Sequence, residues 1–265
     1  MASSPLRPQG ARAAASDRTS PPLLSSGMGT TPRYEPIQTP EGDTFEAYCA
    51  VPASGSGPGV LLLQEIFGIN DNMRGLADDL ATQGYVVLVP DMFWRIERRF
   101  ERKDESGMGD AFAIVQQLDL ERAAEDIAST HAHLLQMEEC TGKVGALGFC
   151  LGGTLAFMAA GRSQVDGAGI DAAVSYYGSG NNDLLGLLAS VDCPMLFHYG
   201  TEDPFIPEDK IVEVEQAVGH RPDIAVHRYA AGHAFSNWDA PSMYQAAAAG
   251  EAWARTLAFF REHLR

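Results

Sequence analysis

The stretch Gly145-Ala146-Leu147-Gly148-Phe149-Cys150-Leu151-Gly152-Gly153 decides the fold. Its first half is an uncharged apolar run, and its second half is a Gly-x-Cys-x-Gly turn from which a helical pattern opens near Gly153. A strand that reverses sharply into a helix holds the residue at its tip in a strained backbone conformation. The residues two positions to either side must then be almost free of side chain to avoid a clash. Gly148 and Gly152 meet that demand and set Cys150 as a candidate nucleophile at the tip of a strand-turn-helix elbow. At the helix N-terminus the macrodipole and free N–H groups favour the thiolate, and the N–H of Leu151 is placed to bind an oxyanion. Taken alone, the motif is equally compatible with a buried cysteine in a glycine-rich turn.

Outward from the elbow, short β-branched or aromatic runs alternate with helical patterns. Strands are expected at Tyr34–Gln38, Thr44–Val51, Val60–Gln64, Tyr85–Pro90, Val144–Phe149, Ala172–Tyr177, Met195–Tyr199 and Ile224–Tyr229, the first two as a hairpin. Helices are expected at about Asn72–Gln83, Ala111–Gln117, Glu121–Gln136, Gly153–Ala160, Glu208–Val218 and Pro241–Leu264. Continuous apolar strands between helices indicate a parallel sheet covered on both faces. The expected architecture is a three-layer α/β sandwich with a mostly parallel sheet of about eight strands, the first two forming an antiparallel edge.

The order of the remaining polar residues separates the two readings of Cys150. α/β-hydrolases carry nucleophile, acid and histidine in that chain order, the acid after a later strand and the histidine in the last loop. Here Met195–Tyr199 runs into Gly200-Thr-Glu-Asp-Pro-Phe-Ile-Pro207, and Ile224–Tyr229 runs into Ala231-Gly-His-Ala-Phe-Ser-Asn237. Asp203 and His233 are the candidates, both just past the carboxyl ends of strands, where open α/β sheets build their sites. Glu202 competes for the acid role, but the Asp203-Pro204 turn with Pro207 downstream suits an acid held at a loop corner. After Val60–Gln64, the segment Glu65-Ile66-Phe67-Gly68 occupies the place of the second oxyanion donor, assigned to the N–H of Ile66. Glu65 is an acid at the end of an apolar strand, which calls for a site role or a satisfied buried hydrogen bond.

Together, Gln-Glu-Ile-Phe-Gly (64–68), Gly-Phe-Cys-Leu-Gly-Gly (148–153), Gly-Thr-Glu-Asp-Pro-Phe-Ile-Pro (200–207) and Ala-Gly-His-Ala-Phe (231–235) resemble the dienelactone hydrolase, or carboxymethylenebutenolidase, family. Pro90-Asp-Met-Phe-Trp-Arg95 is similar to the family's segment after its next strand, and the resemblance spans roughly residues 34 to 264. It implies a Cys-His-Asp triad of Cys150, His233 and Asp203, with Glu65 touching the thiol in the resting enzyme and aiding its activation. It implies no metal and no organic cofactor, and a small-molecule lactone or ester as the partner of a monomer or small homo-oligomer. Family members bind a substrate carboxylate with arginines; one matching position is Asn237 here, and the region of the other reads Ser106-Gly-Met-Gly109. The basic run Arg95-Ile-Glu-Arg-Arg-Phe-Glu-Arg-Lys103 is then either a replacement anion clamp or a solvated helical face with Glu97 and Glu101 interleaved. Phe67, Phe93, Trp94, Phe235 and Trp238 are expected to wall an apolar pocket, with Phe67, Trp94 and Asn237 touching substrate.

A thiol nucleophile also constrains the leaving group. The tetrahedral adduct of a thiolate expels sulfur more readily than an ordinary alkoxide, so forward collapse needs a stabilised leaving oxygen such as an enolate. The expected reaction is therefore opening of enol-lactones or cleavage of activated esters. A general carboxylesterase or thioesterase of the same fold is the alternative, and a non-catalytic binding protein is the reading from another class. Composition is that of an ordinary globular protein: 265 residues, 45% hydrophobic, and 19 Lys+Arg against 35 Asp+Glu, a net charge of −16 that repels nucleic acid. No apolar run is long enough to cross a membrane, and the four cysteines have no C-x-x-C spacing, so they read as reduced thiols in a cytoplasmic chain. His131 and His133 lie two apart on a helix and do not share a face, His198 reads as a hydrogen-bonded core histidine, and Cys49, Cys140 and Cys193 as packing residues. Residues 1–32, rich in Ala, Ser, Pro, Gly and Arg, read as a disordered extension ahead of one domain over 33–265.

Overall fold

A computed structural model describes residues 33–265, so the expectation for the first 32 lies outside the described residues. Eight strands form one sheet: β1 (Arg33–Gln38), β2 (Thr44–Ala50), β3 (Gly57–Leu63), β4 (Val86–Pro90), β5 (Cys140–Phe149), β6 (Ala172–Tyr176), β7 (Met195–Gly200) and β8 (Ile224–Tyr229). Their spatial order is β1-β2-β4-β3-β5-β6-β7-β8. β1 pairs antiparallel with β2 and β2 with β4, and every later pairing is parallel. The strands with unbroken apolar runs are buried along their whole length, as in β4, VVLVP, and β7, MLFHYG.

Six α-helices flank the sheet: α1 (Asp71–Thr82), α2 (Met108–Val115), α3 (Leu120–Gln136), α4 (Leu151–Arg162), α5 (Glu208–Val218) and α6 (Ala246–His263). Two neighbouring β5 positions show how both faces are covered. A Cβ on Gly59, the register partner of Val144, would strike Leu134 of α3 at 2.8 Å, whereas a Cβ on Gly145 would strike Leu264, just past α6, at 2.8 Å. Successive residues of a strand point to opposite faces, so α3 and α6 cover opposite sides of the sheet. Helix α1 joins α6 through the Trp253 indole, which donates to Asp79 at 2.9 Å, and α4 packs against α3. Three layers result, and no helix of the described residues is long and apolar enough to cross a membrane.

The structure corrects three local expectations. The last helix starts at Ala246 instead of Pro241, because 241–245 form a turn in which the Gln245 N–H donates to the Phe235 carbonyl. Residues 181–190 form a 3₁₀ segment that the apolar pattern did not announce. Arg95–Lys103 is a string of turns and not a helical face, since Asp91 takes the N–H groups of both Phe93 and Arg99 and winds the chain around its carboxylate.

Candidate active site

Five loops, after β3, β5, β6, β7 and β8, converge at the carboxyl ends of the parallel strands, from β3, where the strand order reverses, outward. Cys150 stands at the tip of the elbow with φ +54° and ψ −118°, a conformation that costs a non-glycine residue about 1–3 kcal/mol. The surroundings enforce it. Its N–H donates to the Tyr176 carbonyl at 3.0 Å, and its carbonyl accepts from the Gly153 and Thr154 N–H groups at 2.9 and 3.3 Å. A Cβ on Gly148 would lie 1.8 Å from the Gly152 carbonyl oxygen, and one on Gly152 would lie 2.0 Å from that of Leu63. Both glycines are therefore obligatory, for the reason the sequence gives.

His233 and Asp203 arrive from the loops after β8 and β7. The imidazole Nε2 lies 3.1 Å from Cys150 Sγ, and Nδ1 lies 2.7 Å from Asp203 Oδ2. The other oxygen of Asp203 accepts from the N–H groups of Phe205 and Ile206 at 2.8 and 3.3 Å, so the loop's own backbone fixes the carboxylate. Asp203 is buried, while Glu202 is exposed, which removes the competitor for this position. Burial alone would push the His233 pKa down. The Cys150 sulfur and Asp203 outweigh it and hold the imidazole up at about 10.

Glu65 is buried at the end of the central strand, and burial pushes its pKa up. Its Oε1 accepts from the Tyr177 hydroxyl at 3.2 Å, and its Oε2 accepts from Asn237 Nδ2 at 2.5 Å. The expectation that Glu65 rests on the thiol is thereby corrected: the thiol pairs with His233 and the carboxylate with Tyr177 and Asn237. The N–H groups of Ile66 and Leu151 have no hydrogen-bond partner among the described residues.

The expected substrate contacts divide. Phe67 is buried with Ile66, Phe93 and Phe100 in a small apolar cluster against which Cys150 and Leu151 pack. Asn237 is 1% exposed and spends its carboxamide on Glu65 and on the Asp239 N–H at 3.0 Å. Trp94 is not brought to the site: its ring stacks on Phe45 at 5.3 Å and its Nε1 donates to buried Asp126 at 2.8 Å, so it belongs to the main core. Phe235 is also core, and Trp238 lies over Gly75 of α1. His198 is the core histidine expected, with Nδ1 at 2.9 Å from the Tyr229 hydroxyl and Nε2 at 3.3 Å from Thr256 Oγ1. His131 pairs with Ser163, away from His133.

Two residues at the site escaped the sequence reading. Tyr177 follows β6, the neighbour of the elbow strand, and holds φ +37°, unusual for a bulky residue; its ring centroid lies 5.1 Å from that of His233. Its signal, an aromatic at a strand end, becomes informative only once β6 is known to adjoin β5. Phe205, two residues past Asp203, sets its ring edge-on to His233 at 5.0 Å while remaining 51% exposed. An exposed phenylalanine beside a buried pair is the signal that burial supplies and sequence does not.

The profile of the dienelactone hydrolase family matches residues 45–264. A carboxymethylenebutenolidase of Pseudomonas putida is 35% identical over 226 residues, covering 84% of this chain and 93% of the relative. One from Rhodococcus opacus is 33% identical over 256 residues, covering 90% and 96%. A solved structure described as a dienelactone hydrolase-like promiscuous phosphotriesterase from metagenomic libraries superposes with a TM-score of 0.74. At 24% identity, over 89% of this chain and 99% of that one, the likeness is one of fold. The elbow, the strand order and the sequence matches agree, and the chain belongs to the dienelactone hydrolase family.

Proposed function

We propose that this family member, a hydrolase of lactones or esters, opens enol-lactones or cleaves activated carboxylic esters through an acyl-thioester on Cys150. The observation that carries the reading is the unbroken line from Sγ to Nε2 at 3.1 Å and from Nδ1 to Asp203 at 2.7 Å. Nε2 faces Sγ and can take the thiol proton, and the Cys150 sulfur and Asp203 hold that proton on His233.

The thiolate attacks the carbonyl carbon, and the carbonyl oxygen takes the negative charge between the N–H groups of Ile66 and Leu151, both otherwise unengaged. Collapse re-forms the carbonyl and breaks the bond to the ring or ester oxygen, which departs as an enolate and takes the proton from His233. A water molecule then attacks the thioester carbon while neutral His233 removes its proton, and the carbon–sulfur bond breaks to release the acid. Asp203 acts on no substrate atom; it fixes the ring so that Nε2 faces the sulfur. The four cysteines are free thiols, which fits a reducing, cytoplasmic compartment.

The test is hydrolysis of a neutral enol-lactone, an acidic dienelactone and an aryl acetate by wild type and Cys150→Ala. Turnover of any lactone that the variant loses supports the reading. Equal rates from the two proteins, or none from either, overturn it.

A further inference from the structure

Resting on that hydrolase reading, we infer that the site takes lactones or esters bearing no carboxylate, and that Asn237 sets this preference. The Glu65 carboxyl group borders the nucleophile's loop at full burial, and both of its hydrogen-bond donors are neutral, the Tyr177 hydroxyl and the Asn237 amide. Asn237 cannot turn to present anything else. Its Oδ1 is fixed by the Asp239 N–H at 3.0 Å, so its Nδ2 must face Glu65. The charged neighbour of Glu65 is His233, whose two ring nitrogens are already taken by Cys150 and Asp203.

The basic run that was the candidate replacement clamp is turned to other partners. Arg95 pairs with Asp126 at 2.8 Å, Arg98 donates to the Thr44 carbonyl at 3.0 Å, and Arg99 forks onto Glu46 at 2.8 and 2.9 Å. Arg102 comes nearest the site, since its N–H donates to the Phe67 carbonyl, yet its guanidinium is held by Asp110 at 2.9 Å. A substrate carboxylate would thus meet a buried acid, with the four guanidiniums of this run engaged elsewhere, in a chain of net charge −16. Ile66, Phe67, Leu151 and the exposed ring of Phe205 instead offer apolar surface around the thiol.

The experiment compares kcat/KM for two enol-lactones of the same skeleton, one with a carboxylate and one with its methyl ester, at ionic strengths from about 10 to about 500 mM. Taking a carboxylate out of water without a cationic partner is costly, on the scale of about tenfold or more in rate. The neutral lactone is therefore expected to be preferred at least about tenfold at low salt. Salt should raise the rate on the anionic one by screening repulsion and leave the neutral one unchanged. Asn237→Arg is expected to raise the anionic rate about tenfold and reverse its salt slope. A wild type that prefers the anionic lactone, or loses rate on it as salt rises, overturns the inference, and the wild-type slopes decide even if the variant fails to fold. If neither lactone is hydrolysed in a Cys150-dependent way, the hydrolase reading fails and takes this inference with it. If both are hydrolysed and the anionic one is favoured, the inference alone fails.

Discussion

Two buried carboxylates end strands of the same sheet, Asp203 after β7 and Glu65 after β3, and their surroundings give them different work. Asp203 is bound by two backbone N–H groups of its own loop and by the imidazole of His233. Backbone donors hold the carboxylate in one place, so that it orients its partner ring. Glu65 is bound by one hydroxyl and one carboxamide, and burial pushes its pKa up. A buried acid with neutral donors alone shapes the field and walls of a site more than it holds a charge ready. Position at a strand end is common to both; what differs is whether the donors come from backbone and a base or from neutral side chains.

The sharpest way to break this comparison is to neutralise each acid isosterically. Asp203→Asn is expected to lower kcat about 10⁴-fold, since the amide both removes the charge and forces the wrong tautomer on His233. Glu65→Gln is expected to cost less, on the order of 10²-fold, because it acts through Tyr177 and Asn237 and holds no hydrogen bond to the thiol. Steady-state rates on one enol-lactone decide it, and losses of equal size would erase the distinction.

A smaller effect concerns pH. Because His233 is held up at about 10, it keeps its proton through neutrality, and the leaving oxygen loses its proton source only above that value. The alkaline limb of kcat/KM is therefore expected near pH 10 instead of near 6.5, and NMR titration of the ring should place it there as well. Burial opposes this shift and the sulfur of Cys150 leads the groups that raise it, so Cys150→Ala is expected to move the imidazole pKa downward.

The smallest expected effect separates the site from the core beside it. Trp94→Phe should change kcat/KM less than about twofold, while losing the indole bond to buried Asp126 should lower stability by about 1–2 kcal/mol in chemical denaturation. A large loss of activity would return Trp94 to the site.

The same contrast explains what the sequence reveals. Cys150, His233 and Asp203 are legible because the elbow demands glycines at 148 and 152 and because strand ends mark the two loops; both are local constraints. Strand identities are legible because both-face burial leaves unbroken apolar runs, as in β4 and β7. Trp94 misleads because its loop passes near the site while its ring turns back onto Phe45, a contact 49 positions away along the chain. Glu65 is visible as an anomaly, but its partners are not, since Tyr177 and Asn237 lie 112 and 172 residues downstream. The basic run misleads in the same way: its arginines look free until Asp126, Glu46 and Asp110 take up Arg95, Arg99 and Arg102 and the Thr44 carbonyl takes up Arg98.

The central claim is that Cys150 carries the acyl group, and the direct measurement is acid-quenched mass spectrometry of the enzyme mixed with an enol-lactone on the millisecond scale. The account predicts a mass increase equal to the ring-opened acyl chain, located on the peptide containing Cys150 and absent from Cys150→Ala. An adduct on another residue, or turnover retained by Cys150→Ala, would contradict it.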